Sequence, residues 1–112
     1  MNAIITDNLA KIAALCERFE VRQLEVFGSA ARDDFDEQTS DIDLLVRFAE
    51  HIEPRELLDR FYAIEAELGT LFERPVDIHL LSSTIERKSG IWDRIRADRK
   101  VVFDAERAPA PS

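Results

Sequence analysis

The chain has 112 residues, of which 46% are hydrophobic and 34% are charged, as in an ordinary globular domain. The formal net charge of −8 argues against a nucleic-acid partner, because binding to a phosphate backbone needs clustered Lys and Arg, and it suits a basic protein partner. The lone cysteine excludes a disulfide framework and a Cys-based zinc site. No apolar run reaches membrane-spanning length and the first residues show no signal-peptide pattern, so we expect a cytoplasmic protein without a membrane-spanning segment.

The first predicted element is an amphipathic helix. Apolar side chains recur at helical spacing from Ile5 to Phe19, and Thr6 or Asp7 is placed to cap the helix. Cys16 lies on the apolar stripe, so we expect a buried structural thiol rather than a reactive one.

Two strands with a turn and a loop between them follow the helix. Residues 21–27 are predicted to form the first strand, and its last four residues have the pattern of a short buried strand. Gly28 allows a sharp turn into a short helical segment over residues 29–32. Residues 33–40 contain four acidic side chains and no basic one, which indicates an exposed loop. A second strand is predicted over residues 42–48.

The second half of the chain also alternates between predicted helices and predicted strands. Pro54 is predicted to open a helix that Gly69 ends. A third strand covers residues 76–81, a last helix begins at Ser83 or Thr84, and a short strand covers residues 101–103.

These elements predict the α+β class, with a mixed β-sheet packed by helices in α-β-α-β-α-β order. We expect a single domain over residues 1–106 and a disordered tail over residues 107–112.

Polar residues interrupt three of the predicted strands where they could converge. Gly28 and Ser29 follow the first strand, Asp41 and Asp43 begin the second, and Asp77 lies within the third. A glycine turn that opens into a helical segment is suited to binding phosphate. The arrangement therefore predicts a phosphate site beside a set of carboxylates.

The carboxylates have the chemistry of a magnesium site. Mg²⁺ prefers oxygen ligands, usually one or two carboxylates together with substrate phosphates. Because alternate strand residues face the same side, Asp41 and Asp43 can hold one metal ion or share two. Asp77 is flanked by Val76 and Ile78, so we expect a buried charge that serves as the third ligand or as the general base. An Asp-x-Asp pair alone also occurs in phosphatases, sugar transferases and calcium loops, but the combination predicts nucleotidyl transfer from a triphosphate.

Three further side chains are candidates with open alternatives. Arg32 can contact a phosphate or pair with an acid of the following loop, and Ser40 can orient Asp41 or simply close the loop. We count Arg32 and Ser40 with the nucleotide-binding residues. His79 shares a strand face with Asp77, and we expect a histidine at the rim of the site rather than a metal ligand.

The same motifs carry a family resemblance. The segment GSAARDDFDEQTSDIDLLV from Gly28 to Val46, followed by VDIHLL from Val76 to Leu81, closely resembles the nucleotidyltransferase superfamily that includes DNA polymerase beta. More narrowly, the chain looks like a minimal nucleotidyltransferase (MNT), the antitoxin member of MNT–HEPN toxin–antitoxin pairs. The likeness covers roughly residues 5–104.

The resemblance implies a polymerase beta palm-like core and a specific reaction. It implies two Mg²⁺ ions at Asp41, Asp43 and Asp77, and β- and γ-phosphates of ATP held by Gly28 and Ser29. In related antitoxins, AMP is transferred from ATP to a tyrosine hydroxyl of the partner HEPN ribonuclease, so a HEPN toxin is the implied partner. One departure is Asp33, which stands where family members often have a glycine.

Two alternative functions remain open from the sequence. The chain can be an antitoxin that neutralises its toxin by complex formation without catalysis, or a nucleotidyltransferase that modifies a small molecule of the aminoglycoside type.

Overall fold

A computed structural model of the chain describes residues 3–31, 41–80 and 99–105. The helices and strands in these ranges are α1 (Ala3–Thr6), α2 (Leu9–Arg18), β1 (Val21–Phe27), β2 (Ile42–Phe48), α3 (Pro54–Phe72), β3 (Val76–Leu80) and β4 (Lys100–Asp104), with a 3₁₀ turn at Gly28–Ala30 between β1 and β2. The predicted acidic loop, last helix and tail lie outside the described residues. No helix among the described residues has the length and apolar character needed to cross a membrane.

The four strands form one mixed sheet in the order β3-β2-β1-β4. Strand β1 is antiparallel to both β2 and β4, whereas β2 and β3 are parallel. A parallel pair needs a long crossover connection, and the 19 residues of α3 supply it. The predicted α+β class with a mixed sheet and packed helices is confirmed.

The helices cover one face of the sheet. Alternation along the strands directs Leu24, Val26, Leu44 and Val46 to this face, where they join buried helical side chains in one core; the helical members are Ile5, Ile12, Cys16, Ile64, Leu68 and Phe72. The intervening strand residues project from the other face, which carries the candidate site and is called the site face below.

The N-terminal helix differs from the prediction. It is two helices, α1 and α2, separated at Asp7 and Asn8. The capping residue of α2 is Asn8 rather than Thr6 or Asp7, and the Asn8 side chain donates a hydrogen bond of 2.7 Å back to the Ile4 carbonyl. Asn readily competes for backbone groups in this way, which favours a break in the helix at this position.

The predicted start of α3 is confirmed, but its predicted end is wrong. Pro54 lies in the first turn, whereas the helix continues past Gly69 to Phe72 and ends through Glu73 in the left-handed region at φ 55°. A glycine within a helix costs about 1 kcal/mol relative to alanine. Burial of Leu68 and Phe72 on either side of Gly69 outweighs that cost, at about 2 kcal/mol for each side chain.

Candidate active site

A row of side chains crosses the sheet at one register position. Phe27 of β1 pairs with Asp43 of β2, and Asp43 pairs with Asp77 of β3. Paired residues on neighbouring strands project from the same face, so Asp43 and Asp77 both lie on the site face. The Ile42 amide donates a hydrogen bond of 3.3 Å to the Pro75 carbonyl, which joins the starts of β2 and β3 beside this row.

The Asp43 carboxylate is repelled by the carboxylates of Asp77 and Asp41. The pKa of Asp43 is raised, first by partial burial, then by the negative charge of Asp77, and to a smaller extent by that of Asp41, while His79 opposes the shift. The cause is that two acidic neighbours and a low-dielectric wall disfavour the ionised form. A divalent cation would relieve this repulsion, and the oxygen donors are those that Mg²⁺ prefers.

The described carboxylates do not form a complete metal-binding site in this structure. Within residues 3–31, 41–80 and 99–105, no three acidic, histidine or cysteine side chains are grouped so that they could hold a metal ion. The assignment of Asp41, Asp43 and Asp77 as a shared set of ligands therefore stays a prediction, supported by their register and mutual electrostatics.

Gly28 approaches the carboxylate of Asp43 very closely. Its φ is +69°, in the left-handed region, and a Cβ added to it would lie 2.7 Å from Asp43 Oδ2. Any larger residue would combine backbone strain with a collision. The sharp turn expected at this glycine is present, and it brings the main chain after β1 against a candidate metal ligand.

The other predicted phosphate-binding residues are described only in part. Ser29 lies in the 3₁₀ turn, which the Ala31 amide closes with a hydrogen bond of 3.1 Å to the Gly28 carbonyl. Arg32 and Ser40 lie outside the described residues, so their nucleotide-binding roles stay predictions.

Asp77 is not buried, which corrects the prediction. Its side chain is 60% exposed, because β3 is the outermost strand of the described sheet and Asp77 projects from the site face. Its carboxylate contacts His79 across 3.2 Å, from Oδ2 to the imidazole Nε2, and the His79 side chain is 47% exposed. The histidine therefore lies in the open part of the site face and directly contacts a predicted catalytic carboxylate.

A comparison with protein families identifies the family of the chain. The model described as the nucleotidyltransferase domain matches residues 10–110. The chain belongs to the nucleotidyltransferase domain family. The predicted superfamily and the predicted enzyme class are thereby confirmed. A comparison with curated proteins found no match.

Solved structures of toxin–antitoxin complexes contain chains similar to this nucleotidyltransferase. One comes from the complex of tri-AMPylated Shewanella oneidensis HEPN toxin with MNT antitoxin, with a TM-score of 0.56 and 17% identity over 91% of this chain and 74% of that chain. A second, from a toxin–antitoxin structure with AMP-PNP, has a TM-score of 0.59 and 18% identity over 87% and 73%. A third, from the MntA-HepT complex, has a TM-score of 0.54 and 16% identity over 90% and 74%. At these identities the similarity shows a shared fold.

The nucleotidyltransferase also has an ion pair with a buried carboxylate, which was not predicted from the sequence. Glu25 is only 2% exposed, and its carboxylate contacts Arg99 Nε at 2.7 Å and accepts a hydrogen bond of 3.0 Å from Gln23 Nε2. Glu25 lies two residues from Phe27 on β1 and therefore on the site face. A charged residue inside the apolar run Leu24 to Phe27 was the available signal, but the partner Arg99 is far away in the sequence.

Proposed function

We propose that this nucleotidyltransferase is a Mg²⁺-dependent protein adenylyltransferase and an antitoxin, which transfers AMP from ATP to a tyrosine hydroxyl of a cognate HEPN toxin. The observation that carries the proposal is the shared register of Asp43 and Asp77 beside Gly28, whose backbone lies against the Asp43 carboxylate. A positively charged group at this position would be favoured by the charges that raise the pKa of Asp43.

The donor set fits magnesium. Asp41, Asp43 and Asp77 would hold the metal, for which we propose two ions, and the repulsion among these acids gives a physical reason for cation binding. When bound, Mg²⁺ would stabilise negative charge on the α-phosphate and on the departing pyrophosphate.

The chain's own residues would bind the triphosphate and accept the proton. We propose that the turn at Gly28 and Ser29 holds the β- and γ-phosphates, with Arg32 and Ser40 as further nucleotide contacts. The acceptor oxygen forms a bond to the α-phosphorus, the bond from that phosphorus to the bridging oxygen of the β-phosphate breaks, and pyrophosphate leaves with the electron pair. Asp77, whose carboxylate is exposed, takes the proton of the acceptor hydroxyl.

The proposed partner rests on charge and on the structural neighbours. The chain carries a net charge of −8, which favours association with a basic protein surface through complementary steering. The similar chains come from complexes of a HEPN toxin with an MNT antitoxin and of MntA with HepT. We propose the same kind of complex here, located in the cytoplasm.

The experiment is a labelling assay with a matched control. The protein is incubated with α-labelled ATP, Mg²⁺ and the HEPN toxin encoded beside it, and label on the toxin is measured. We expect labelling by the unmodified protein, none by Asp43→Asn, and full labelling by Asp59→Asn, which removes the same charge from an exposed position on α3. Absence of label with the unmodified protein, while a known family enzyme labels its own toxin, would refute the proposal.

The acidic character of the chain also favours a second candidate, an antitoxin that acts by complex formation alone, because a net charge of −8 suits association with a basic protein surface. The double variant Asp41→Asn/Asp43→Asn distinguishes the two candidates in cells that produce the toxin. Full neutralisation by this variant at normal dose supports complex formation, and loss of neutralisation supports catalysis.

A further inference from the structure

An aromatic contact bridges the central strand of the site. Phe27 belongs to β1 and His79 to β3, with β2 between them, yet their ring centroids are 5.7 Å apart at an interplanar angle of 56°. Neighbouring strands are about 4.8 Å apart, so the two side chains lean toward each other over β2. Phe27 pairs with Asp43 and His79 pairs with Leu45, so the bridge crosses β2 between the register positions of Asp43 and Leu45.

The bridging histidine also contacts the third carboxylate. His79 Nε2 lies 3.2 Å from Asp77 Oδ2, a close polar contact between an imidazole and a carboxylate. A proton on Nε2, present in one neutral tautomer and in the imidazolium, makes this nitrogen the polar group that faces the carboxylate. An aspartate side chain that is 60% exposed has access to several rotamers, and the contact with His79 favours one of them.

We infer that His79 is the positioning residue of Asp77, and that packing against the Phe27 ring holds the imidazole in the orientation that makes this contact. The inference rests on the proposed function, because it takes Asp77 to be a metal ligand and proton acceptor. Partners that orient a metal-binding side chain typically change metal affinity or activity 10–100-fold when they are removed. His79 itself is not assigned to the metal, since Mg²⁺ prefers oxygen donors.

Three substitutions of His79 separate the polar contact with Asp77 from packing against Phe27. In His79→Gln the amide Nε2 stands at the same number of bonds from Cβ as the imidazole Nε2, so the donor is retained. In His79→Asn the donor is one bond shorter and does not reach Asp77. His79→Leu retains apolar packing against Phe27 and has no donor. The His79 side chain is about half exposed, so all three variants are expected to fold.

The first measurement is the affinity for Mn²⁺ in the presence of a non-hydrolysable ATP analogue, which requires neither turnover nor toxin. We expect His79→Gln to stay within about threefold of the unmodified protein and His79→Leu and His79→Asn to bind about 10–100-fold more weakly. The transfer assay should then show a lower kcat for the last two variants at an unchanged KM for ATP. Equal losses for all three substitutions, or no loss for His79→Leu, would overturn the inference.

The decisive control repeats His79→Leu in an Asp77→Asn background. If His79 acts through Asp77, the substitution has no further effect there, because the two residues form one interacting unit. An undiminished loss in that background shows that His79 acts independently and overturns the inference. Failure of the unmodified protein to bind Mn²⁺ with the nucleotide analogue refutes the proposed function itself, whereas normal binding together with an inert His79→Leu refutes only the positioning role.

Discussion

Replacement of Gly28 by alanine tests whether the turn after β1 is built for its approach to Asp43. The native φ is +69°, and the new Cβ would lie 2.7 Å from Asp43 Oδ2, well inside van der Waals contact. The strain has two sources, the backbone conformation and the collision, and either the turn must move or the Asp43 carboxylate must rotate away. Both responses separate the proposed phosphate-binding turn from the proposed metal ligand.

The expected loss of stability can be estimated from the backbone strain and the collision. An alanine in the left-handed region costs about 1 kcal/mol or somewhat more, and relief of the collision adds a further off-rotamer or backbone cost of about 1 kcal/mol. The free energy of unfolding should therefore fall by about 2 kcal/mol. We expect binding of an ATP analogue with Mn²⁺ to weaken by at least about tenfold, which corresponds to about 1.4 kcal/mol, because the substitution displaces the proposed metal ligand Asp43.

Urea denaturation and nucleotide titration measure the two effects, and Gly69→Ala provides the control. Gly69 lies inside α3, and a Cβ there would meet only the Arg74 carbonyl at 3.6 Å, which is an ordinary contact. We expect Gly69→Ala to increase stability by about 0.5–1 kcal/mol and to leave nucleotide binding unchanged. Wild-type stability and binding in Gly28→Ala would refute the argument, and a loss of stability alone would mean that the turn is only structural.

Three further predictions follow from the burial and charge of single residues. Burial and then the Glu17 charge raise the pKa of the Cys16 thiol to about 12, so Cys16 should resist a thiol reagent at pH 8 until the protein unfolds. The free energy of unfolding should fall with increasing pH above 9, because only the unfolded chain loses the thiol proton there. Rapid labelling of the native protein would contradict this prediction. Glu25→Leu should lower the free energy of unfolding, measured by urea denaturation, by about 2 kcal/mol because Arg99 loses this carboxylate. The double variant Glu25→Leu/Arg99→Leu should regain part of the loss. A Glu25→Leu variant as stable as the wild type would show that the pair contributes nothing. Asp43→Asn should unfold at equal or higher urea concentration while losing Mn²⁺ binding, since it removes a repelled charge, and a large loss of stability would refute that reading.

The fold was predictable where the sequence pattern is local. Strands β1, β2 and β3 are short segments rich in Val, Leu, Ile and Phe and lie next to Gly28, Asp41 and Pro75, and α3 begins at Pro54, so each follows from the chain around it. The order and direction of the strands were not predictable in this way, because they depend on which apolar faces pack together. The extension of α3 beyond Gly69 has the same origin, since buried neighbours distant in the sequence outweigh a weak local signal.

In the candidate site, too, the local features were predictable from the sequence and the non-local ones were not. Alternation on each strand predicted that Asp41 and Asp43 share a side, and the parallel register of β2 and β3 then brought Asp77 opposite Asp43. The exposure of Asp77 was predicted wrongly, because an apolar flank such as Val76 and Ile78 says nothing about whether a strand is central or outermost.

The placement of Asp43 opposite Asp77 is unfavourable for folding and is tolerated because the core lies on the other face. Like charges directly opposite on neighbouring strands destabilise a sheet, and the pKa of Asp43 is raised by partial burial first and by this repulsion second. The neighbouring pair Leu44 and Ile78 lies in register beneath them and is buried in the core, so the register of the two strands is fixed by apolar packing from the face that the carboxylates do not touch. Any slip by one residue would bury the carboxylates and expose the core. The same packing that forms the sheet therefore holds two repelling acids on neighbouring strands, and this repulsion is what the proposed cation would relieve.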